Sequence, residues 1–228
     1  MSTNESSPPN PVPAHSVRYN RGQERDMTSL PLTKESVGTV CVVLNVEKVG
    51  LTPEQFFQLC SDNPELLLEL TAQKELVIMT LPGGMTGRRN TQICYFLEDW
   101  AKNNGTGPTF VPLTLFVLPN GAMRAPDASW IRRERWDALT AEQRESAPPL
   151  CPDFVLELMS RSDRLKRLQA KMEEYIANGA QLGWLIDPFK KRVYVYRPGT
   201  PVECLQSPAT INGDPVLAGF VLPVAEIW

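Results

Sequence analysis

The stretch Phe154-Val155-Leu156-Glu157-Leu158-Met159 decides the fold. It is a short apolar run between Pro152-Asp153 and Ser160, a pattern typical of a central strand that is buried on both faces. An ionised carboxylate at Glu157 inside such a strand costs several kcal/mol unless it is paired. Glu157 therefore needs a cation, a metal ion or a proton. A structural pairing with an arginine is as compatible with its position as a functional role.

A helix is predicted directly after this strand, from about Ser162 to Asn178, with Gly179 as its stop. Placing residues at 100° intervals gives one apolar stripe, which consists of Leu165, Leu168, Met172, Tyr175 and Ile176. Lys171 lies at the margin of this stripe, so its stem can follow the core while its ammonium reaches a cleft. In isolation, a lysine that simply extends into solvent is the more common interpretation of such a position.

A hairpin is predicted from Phe110 to Leu118 and from Ala122 to Ile131, around the turn Pro119-Asn120-Gly121. Asp127 lies in the second of these strands, directly after a proline, and a Pro-Asp pair alone is usually only a turn. Two carboxylates on neighbouring strands, however, commonly bind Mg²⁺ together. Waters and a phosphate oxygen then complete the coordination shell of the ion. Asp127 and Glu157 are the candidates for such a pair.

The other elements predicted from hydrophobic periodicity and from turn residues alternate between strands and helices. They are a strand over Cys41–Val46, a helix from Thr52-Pro53-Glu54 to Ser61-Asp62, strands at Glu65–Leu70 and Glu75–Thr80, a helix from Thr86 to Asn103-Asn104-Gly105, a short helix from Trp136, and strands at Leu182–Ile186 and Val193–Arg197. The sequence therefore predicts a mixed α/β fold. We expect one domain over residues 39–228, preceded by a Ser-, Pro- and Asn-rich arm over residues 1–38 that is disordered or loosely attached.

Composition narrows the chemistry. The chain of 228 residues has one histidine, His15, and it lies in the predicted N-terminal arm. Ser-His-Asp triads and Cys-His pairs, which need an imidazole beside the reacting atoms, are therefore excluded. Its five cysteines are dispersed without a zinc-knuckle spacing, so carboxylates, lysines, arginines and hydroxyls must carry any reaction. Such a set suits Mg²⁺ better than zinc. The sequence also lacks a secretory signal pattern and a run of about 20 apolar residues, from which we expect a cytoplasmic protein without a membrane role.

Positive charge is clustered, although the net charge of −3 argues against a broadly basic nucleic-acid coat. The basic positions form three groups: Arg161, Arg164, Lys166 and Arg167; Arg132, Arg133 and Arg135; and Arg88-Arg89. Each group alone can be an ordinary solvated face, whereas together they suit phosphate backbones, whose binding is largely electrostatic. No glycine-rich phosphate loop of a common type is present, which argues against a nucleotide-driven enzyme.

Several of these motifs occur together in one known family. They are Glu69, Pro126-Asp127, Glu157-Leu158, Lys171 four residues before Tyr175, and Gly183-Trp184-Leu185-Ile186-Asp187-Pro188. Over residues 50–198 this series resembles the Uma-two family of restriction endonucleases, within the PD-(D/E)XK nuclease superfamily. The resemblance implies a restriction-endonuclease-like α/β core, with a mixed sheet flanked by helices.

The resemblance also implies roles for four residues. Asp127 and Glu157 would bind Mg²⁺ or Mn²⁺, and Lys171 would orient or activate the attacking water and stabilise negative charge. Glu69 would be an additional acidic residue near the metal. The short superfamily pattern places lysine two residues after the second acid, where this chain has Met159, so the lysine must come from the helix.

The resulting hypothesis is a metal-dependent DNA endonuclease that hydrolyses phosphodiester bonds. A homodimer is an attractive arrangement, because two sites cut two strands more easily than one. The alternative is a non-catalytic module of the same fold that binds nucleic acid or a protein partner, which Met159 and the net negative charge favour. A purely structural role for Glu157 is the third hypothesis.

Overall fold

The computed structural model describes residues 42–79 and 81–228. The predicted N-terminal arm, residues 1–38, lies outside this part of the chain, as does His15. The strands are β1 (Val42–Asn45), β2 (Leu67–Leu70), β3 (Glu75–Met79), β4 (Thr109–Phe110), β5 (Phe116–Val117), β6 (Met123–Arg124), β7 (Ala128–Trp130), β8 (Phe154–Leu158), β9 (Leu182–Asp187), β10 (Arg192–Tyr196), β11 (Glu203–Gln206), β12 (Ile211–Asn212) and β13 (Val221–Leu222). The α-helices are α1 (Pro53–Asp62), α2 (Gly84–Asn104), α3 (Arg133–Asp137), α4 (Ala141–Glu145) and α5 (Leu165–Ala177). Within the described ranges, no helix has both the length and the apolar character needed to cross a membrane.

A six-stranded sheet forms the centre of the molecule, in the order β11-β10-β9-β8-β7-β4. Strands β8 and β9 are parallel and are joined through α5, whereas the other neighbours in this sheet are antiparallel. All five residues of β8 are buried, so the prediction of a central strand over this stretch is confirmed. The mixed α/β class predicted from the sequence is likewise confirmed.

The two faces of β8 contact different helices, because successive side chains of a strand point to opposite sides. Leu156 belongs to the apolar cluster that includes α2 and the C-terminal segment. Val155 belongs to the cluster that includes α5. Glu157, two residues after Val155, therefore lies on the α5 face of the sheet.

Helix α5 lies close against β9. A Cβ atom at Gly183 would lie 2.5 Å from Cε of the fully buried Met172. Glycine at this position therefore permits the close approach of α5 to the sheet, which brings the helix over the strand that carries Glu157.

The predicted hairpin is confirmed near its turn. Farther from the turn, its two strands continue into a different sheet. Strands β5 and β6 pair around residues 118–122 in a second, five-stranded sheet of order β1-β3-β2-β6-β5. After Arg124 the chain leaves that sheet, and β7 pairs with β4 and β8 in the central one. Asp127 thus lies in the link between β6 and β7, and its placement inside a strand was wrong. Pro126, which has no N–H for a strand ladder, interrupts the strand at this point.

The ends of most predicted helices agree with the structure. Thr52 caps α1 through a capping box with Gln55, and Gly105 ends α2 in a left-handed conformation with φ 63°. The short helix expected from Trp136 instead spans Arg133–Asp137 as α3, and α4 and β11–β13 were not predicted.

Candidate active site

An open cleft of about 1920 Å³ lies between the five-stranded sheet, helix α5 and the first turns of α2. Asp127, Glu157, Lys171 and Glu69 all line it. Asp127 comes from the link between the two sheets, Glu157 from β8, Lys171 from α5 and Glu69 from β2. The fold therefore brings together four residues that are far apart in the chain.

Glu157 contacts two side chains of α5. Lys171 Nζ lies 2.7 Å from Glu157 Oε1, and the Tyr175 hydroxyl donates a 3.1 Å hydrogen bond to the same oxygen. Lys171 and Tyr175 are four residues apart and therefore share one face of the helix. Within the described residues both contacts engage Oε1, so Oε2 is the oxygen that a metal ion or a water can use.

Glu69 links the lysine to an arginine. Its Oε1 lies 2.7 Å from Lys171 Nζ and accepts a 3.0 Å hydrogen bond from the Ala125 backbone N–H. Its Oε2 accepts a 3.1 Å hydrogen bond from Nη1 of Arg124, and Nε of Arg124 donates at 2.6 Å to Oε2 of Glu174. Carboxylates and cations thus alternate along one continuous chain from Glu157 to Glu174.

Asp127 is held from two other directions. Its Oδ2 accepts a 2.7 Å hydrogen bond from the Leu158 backbone N–H, and its Oδ1 accepts a 3.1 Å hydrogen bond from the side-chain amide of Asn90. Ala128 faces Leu156 in the β7–β8 register, and one further step along that register brings Asp127 opposite Glu157. The two candidate metal ligands are therefore near neighbours, although Asp127 itself lies just outside β7.

The buried carboxylates differ in how well their charges are compensated. Burial raises the pKa of Glu157 to about 8, because Lys171 offsets only part of this effect and Asp127 adds repulsion. Burial also raises the pKa of Asp127, against the opposing effects of the Leu158 N–H and of Lys171. Glu69 behaves oppositely: burial alone would raise its pKa, but Lys171 and Arg124 outweigh burial and lower it.

The two cations remain charged. Burial disfavours the ammonium of Lys171, but Glu157 and Glu69 outweigh burial and raise its pKa above the ordinary value. Arg124 follows the same pattern, since Glu69 and Glu174 more than compensate for its burial and raise its pKa. Two cations thus lie among four carboxyl groups, and Glu157 and Asp127 are the two whose negative charges the cluster compensates least.

A divalent cation such as Mg²⁺ would stabilise the ionised forms of Glu157 and Asp127, and their oxygen donors suit such an ion. No group of three His, Cys, Asp or Glu side chains within residues 42–79 and 81–228 forms a metal cage by itself. Mg²⁺, however, is commonly held by one or two carboxylates, with waters and phosphate oxygens as its other ligands. Asp127 and Glu157 supply such a pair, and the buried Oδ1 of Asn90 beside them has no hydrogen-bond partner among the described residues.

The basic groups of the sequence divide between the cleft and other surfaces. Those that line the cleft are Arg89, Arg161, Arg164, Lys166 and Arg167. Arg132 and Arg135 instead pair with Asp153, and Arg133 donates to the Gly105 carbonyl, outside the cleft. The group that opens α5 is therefore the one placed to meet a ligand of the cleft.

Sequence reasoning missed Asn90 and Arg124. Asn90 precedes Ile93 by three residues and so continues the apolar stripe of α2, and a polar side chain on a buried stripe was the available signal. Arg124 stands three residues before Asp127, but its pairing with Glu69 and Glu174 depends on contacts between distant segments. No local pattern reveals such contacts.

Comparisons with known proteins identify the family and a related fold. A family model described as "Uma2: Putative restriction endonuclease" matches residues 53–225. The chain belongs to the Uma2 family. This is the Uma-two family that the sequence motifs resemble, so that expectation is confirmed.

A solved structure is similar in fold. It is described as a "putative nuclease belonging to DUF820" from Anabaena variabilis, and the two share 21% sequence identity. The match has a TM-score of 0.64 and covers 78% of this chain and 97% of the other. It supports the restriction-endonuclease-like fold of this Uma2 family member. No curated protein matches the chain.

Proposed function

We propose that this Uma2 family member is a metal-dependent endonuclease that hydrolyses phosphodiester bonds in DNA. The observation that carries the proposal is the presence of Asp127, Glu157 and Lys171 in one open cleft. The family description supports nuclease chemistry, and the oxygen donors and the incompletely compensated carboxyls of Asp127 and Glu157 support a divalent cation.

The basic wall of the cleft supports a polynucleotide substrate. Arg164 and Lys166 are exposed at the start of α5 and line the cleft that contains the carboxylates. Their charges can neutralise phosphates of a bound strand, which is the dominant source of affinity in such complexes. Phosphate contacts of this kind position the substrate without reading its sequence.

In the proposed reaction, Asp127 and Glu157 hold Mg²⁺ or Mn²⁺. The bound ion supplies Lewis-acid polarisation of a phosphoryl oxygen. Tyr175 orients the Glu157 carboxylate through its hydrogen bond to Oε1. The Leu158 N–H fixes the Asp127 carboxylate in the same way.

Lys171 acts as a fixed positive charge. Because Glu157 and Glu69 raise its pKa, it stays protonated and cannot accept a proton from the attacking water. Its ammonium instead orients that water and stabilises the negative charge that develops on the phosphate. Both oxygens of Glu69 already accept from Lys171, Ala125 and Arg124, so we assign to Glu69 the positioning of Lys171.

A cleavage assay tests this function. Supercoiled plasmid, linear duplex, single-stranded DNA and RNA are incubated with the full chain and Mg²⁺ or Mn²⁺, with an EDTA blank. Asp127→Asn, Glu157→Gln and Lys171→Met should each lower the cleavage rate at least about a hundredfold. Glu203→Gln, on the exposed strand β11, should leave it unchanged. Melting curves establish that each variant is folded.

Each outcome of the assay has a clear meaning. Metal-dependent cleavage that survives Asp127→Asn or Glu157→Gln would rule out this site. Preferential cleavage of RNA would replace the proposed substrate. Salt-dependent DNA binding without turnover under any metal would favour the alternative, a non-catalytic binding module. Light scattering of the free protein and of its DNA complex tests the proposed homodimer.

A further inference from the structure

Asn90 is a buried polar side chain beside Asp127. Within the described residues its amide nitrogen has a hydrogen-bond partner and its amide oxygen has none. Asn90 is 8% exposed, lies on α2 and lines the cleft. Its Nδ2 donates to Asp127 Oδ1 at 3.1 Å, while its Oδ1 is buried without a donor. An unsatisfied buried oxygen of this kind is costly and rare in folded proteins, and it therefore requires an explanation.

The orientation of the amide is fixed by its neighbour. Exchanging oxygen and nitrogen would place the Asn90 oxygen against the Asp127 carboxylate, with no proton between two acceptors. The amide therefore presents its nitrogen to Asp127 and has its oxygen free for a donor or a cation. The missing partner must be electropositive.

Helix α2 is anchored so that Asn90 keeps this position. Nε of Arg89 donates a 2.6 Å hydrogen bond to the Ile227 carbonyl, which ties the first turns of α2 to the C-terminal segment. One turn after Asn90, Cys94 Sγ lies 3.8 Å from the Asp127 carbonyl oxygen. One contact before Asn90 and one after it thus hold α2 in place beside Asp127.

The nearby charges point to the nature of the missing partner. The cluster around Asp127 and Glu157 carries more carboxylates than cations, and an amide oxygen is a good ligand for a hard divalent ion. A cation would satisfy the Asn90 oxygen and would also stabilise the ionised carboxylates of Asp127 and Glu157. A donor side chain would satisfy only the Asn90 oxygen.

We propose that Asn90 is a third protein ligand of the divalent ion, which it binds through its amide oxygen beside Asp127 and Glu157. This inference rests on the proposed metal-dependent function. In this arrangement Asn90 has two roles, because its nitrogen orients Asp127 while its oxygen binds the ion.

Calorimetric titration of the full chain with MnCl₂ tests the inference without measuring cleavage. Asn90→Leu, which keeps the approximate shape of the side chain, should weaken Mn²⁺ binding about 10- to 100-fold. Asn90→Ala serves the same purpose should the leucine variant not fold, as judged by circular dichroism. Thr91→Val is the matched control: it changes the adjacent α2 residue, whose hydroxyl bonds within the helix to the Gly87 carbonyl, and should not change the affinity.

Asn90→Asp separates the two roles. Aspartate supplies an oxygen to the ion but cannot donate to the Asp127 carboxylate. Binding of Mn²⁺ by Asn90→Asp that is as tight as in the wild type, or tighter, supports a ligand role. Equal loss in Asn90→Asp and Asn90→Leu would show that Asn90 acts only through its hydrogen bond to Asp127, and would overturn the inference.

The same titrations distinguish this inference from the proposed function. A wild-type protein that binds no Mn²⁺ would contradict the metal site itself. A wild type that binds, together with an Asn90→Leu variant of unchanged affinity, would leave the Asp127–Glu157 site in place and refute the role of Asn90.

Discussion

Arg124 shows how strongly the candidate site depends on single buried charges. Its guanidinium binds Glu69 through Nη1 and Glu174 through Nε, and Glu69 in turn binds Lys171. Arginine suits this position because its planar fork reaches two carboxylates at once. Removing one partner of a buried ion pair leaves an uncompensated charge, which costs much more than the loss of an exposed pair.

We expect Arg124→Leu to lower the free energy of unfolding by about 3 kcal/mol, because Glu69 would keep only Lys171 as a cationic partner. Lys102→Ala breaks the exposed Lys102–Glu98 pair and should cost less than about 0.5 kcal/mol. Urea denaturation of both variants gives the comparison. Equal, small effects would mean that Arg124 is not part of a buried network.

The carboxyl of Glu157 makes the stability of the metal-free protein depend on pH. In the unfolded chain it ionises near its ordinary pKa of 4.5, whereas in the fold burial raises the pKa to about 8, with added repulsion from Asp127 and Glu69. Lys171 and Tyr175 also face this carboxyl, and Lys171 offsets part of the shift. Between these pH values the folded state binds more protons than the unfolded state, so stability must fall as pH rises.

We therefore expect the free energy of unfolding in EDTA to fall by about 1–3 kcal/mol between pH 5 and pH 8. Glu157→Gln should remove most of this slope, because glutamine does not titrate. Denaturant titrations at several pH values measure it. A stability that rises over this range in the wild type would contradict the raised pKa.

At the scale of secondary structure elements, the site forms where the predicted hairpin crosses from one sheet to the other. Strands β5 and β6 belong to the five-stranded sheet, while β4 and β7 belong to the central sheet. The link between β6 and β7 carries Asp127 to the edge of the cleft. Just before β4, the chain lies so close to the end of β7 that only glycine fits at position 107. A Cβ atom there would lie 2.0 Å from the Ile131 carbonyl oxygen.

Gly107→Ala should destabilise the protein by about 2 kcal/mol or more, because the methyl group would clash with backbone and the residue has φ 152°. Gly87→Ala is the control within α2. Among the residues that the structure describes, no atom outside the local helix backbone lies within 4 Å of its added Cβ, so we expect a gain of about 0.5–1 kcal/mol. Thermal unfolding distinguishes the two. Similar midpoints would mean that β4 can shift without cost.

On the scale of the whole molecule, local charge and net charge have opposite signs. The chain carries a net charge of −3, yet basic side chains at the start of α5 line the cleft. Because exposed charges are screened within about 10 Å at ordinary ionic strength, a strand in the cleft responds mainly to this local wall. A mildly acidic protein can therefore bind a polyanion at one face.

The double variant Arg164→Gln/Lys166→Gln should weaken DNA binding and reduce the slope of log affinity against log salt by about 1–2, because two phosphate contacts are lost. Lys48→Gln/Lys102→Gln removes the same charge at exposed positions outside the cleft and should have little effect. Fluorescence anisotropy at several salt concentrations, with Ca²⁺ in place of Mg²⁺, measures both. Equal weakening by the two pairs would mean that net charge controls binding.

Much of the fold could be predicted because its signals are local. The apolar run of β8, the periodicity of α2 and α5 and the turn at residues 119–121 each depend on neighbouring residues, and the structure contains all of them. The position of Asp127 was predicted less well. Pro126 and Asp127 are weak strand formers and signal an interruption, but only pairing with distant strands reveals that the chain changes sheets there.

The sequence by itself determined most of the elements, the family and four of the residues worth examining, since hydrophobic period, capping residues and motif spacing are properties of nearby positions. Only the tertiary structure decided which side chains meet. Lys171 bridges Glu69 and Glu157, and Asn90 contacts Asp127, and each of these contacts joins different elements of the fold. Such contacts depend on how helices pack on sheets, and the packing of the whole core fixes that arrangement.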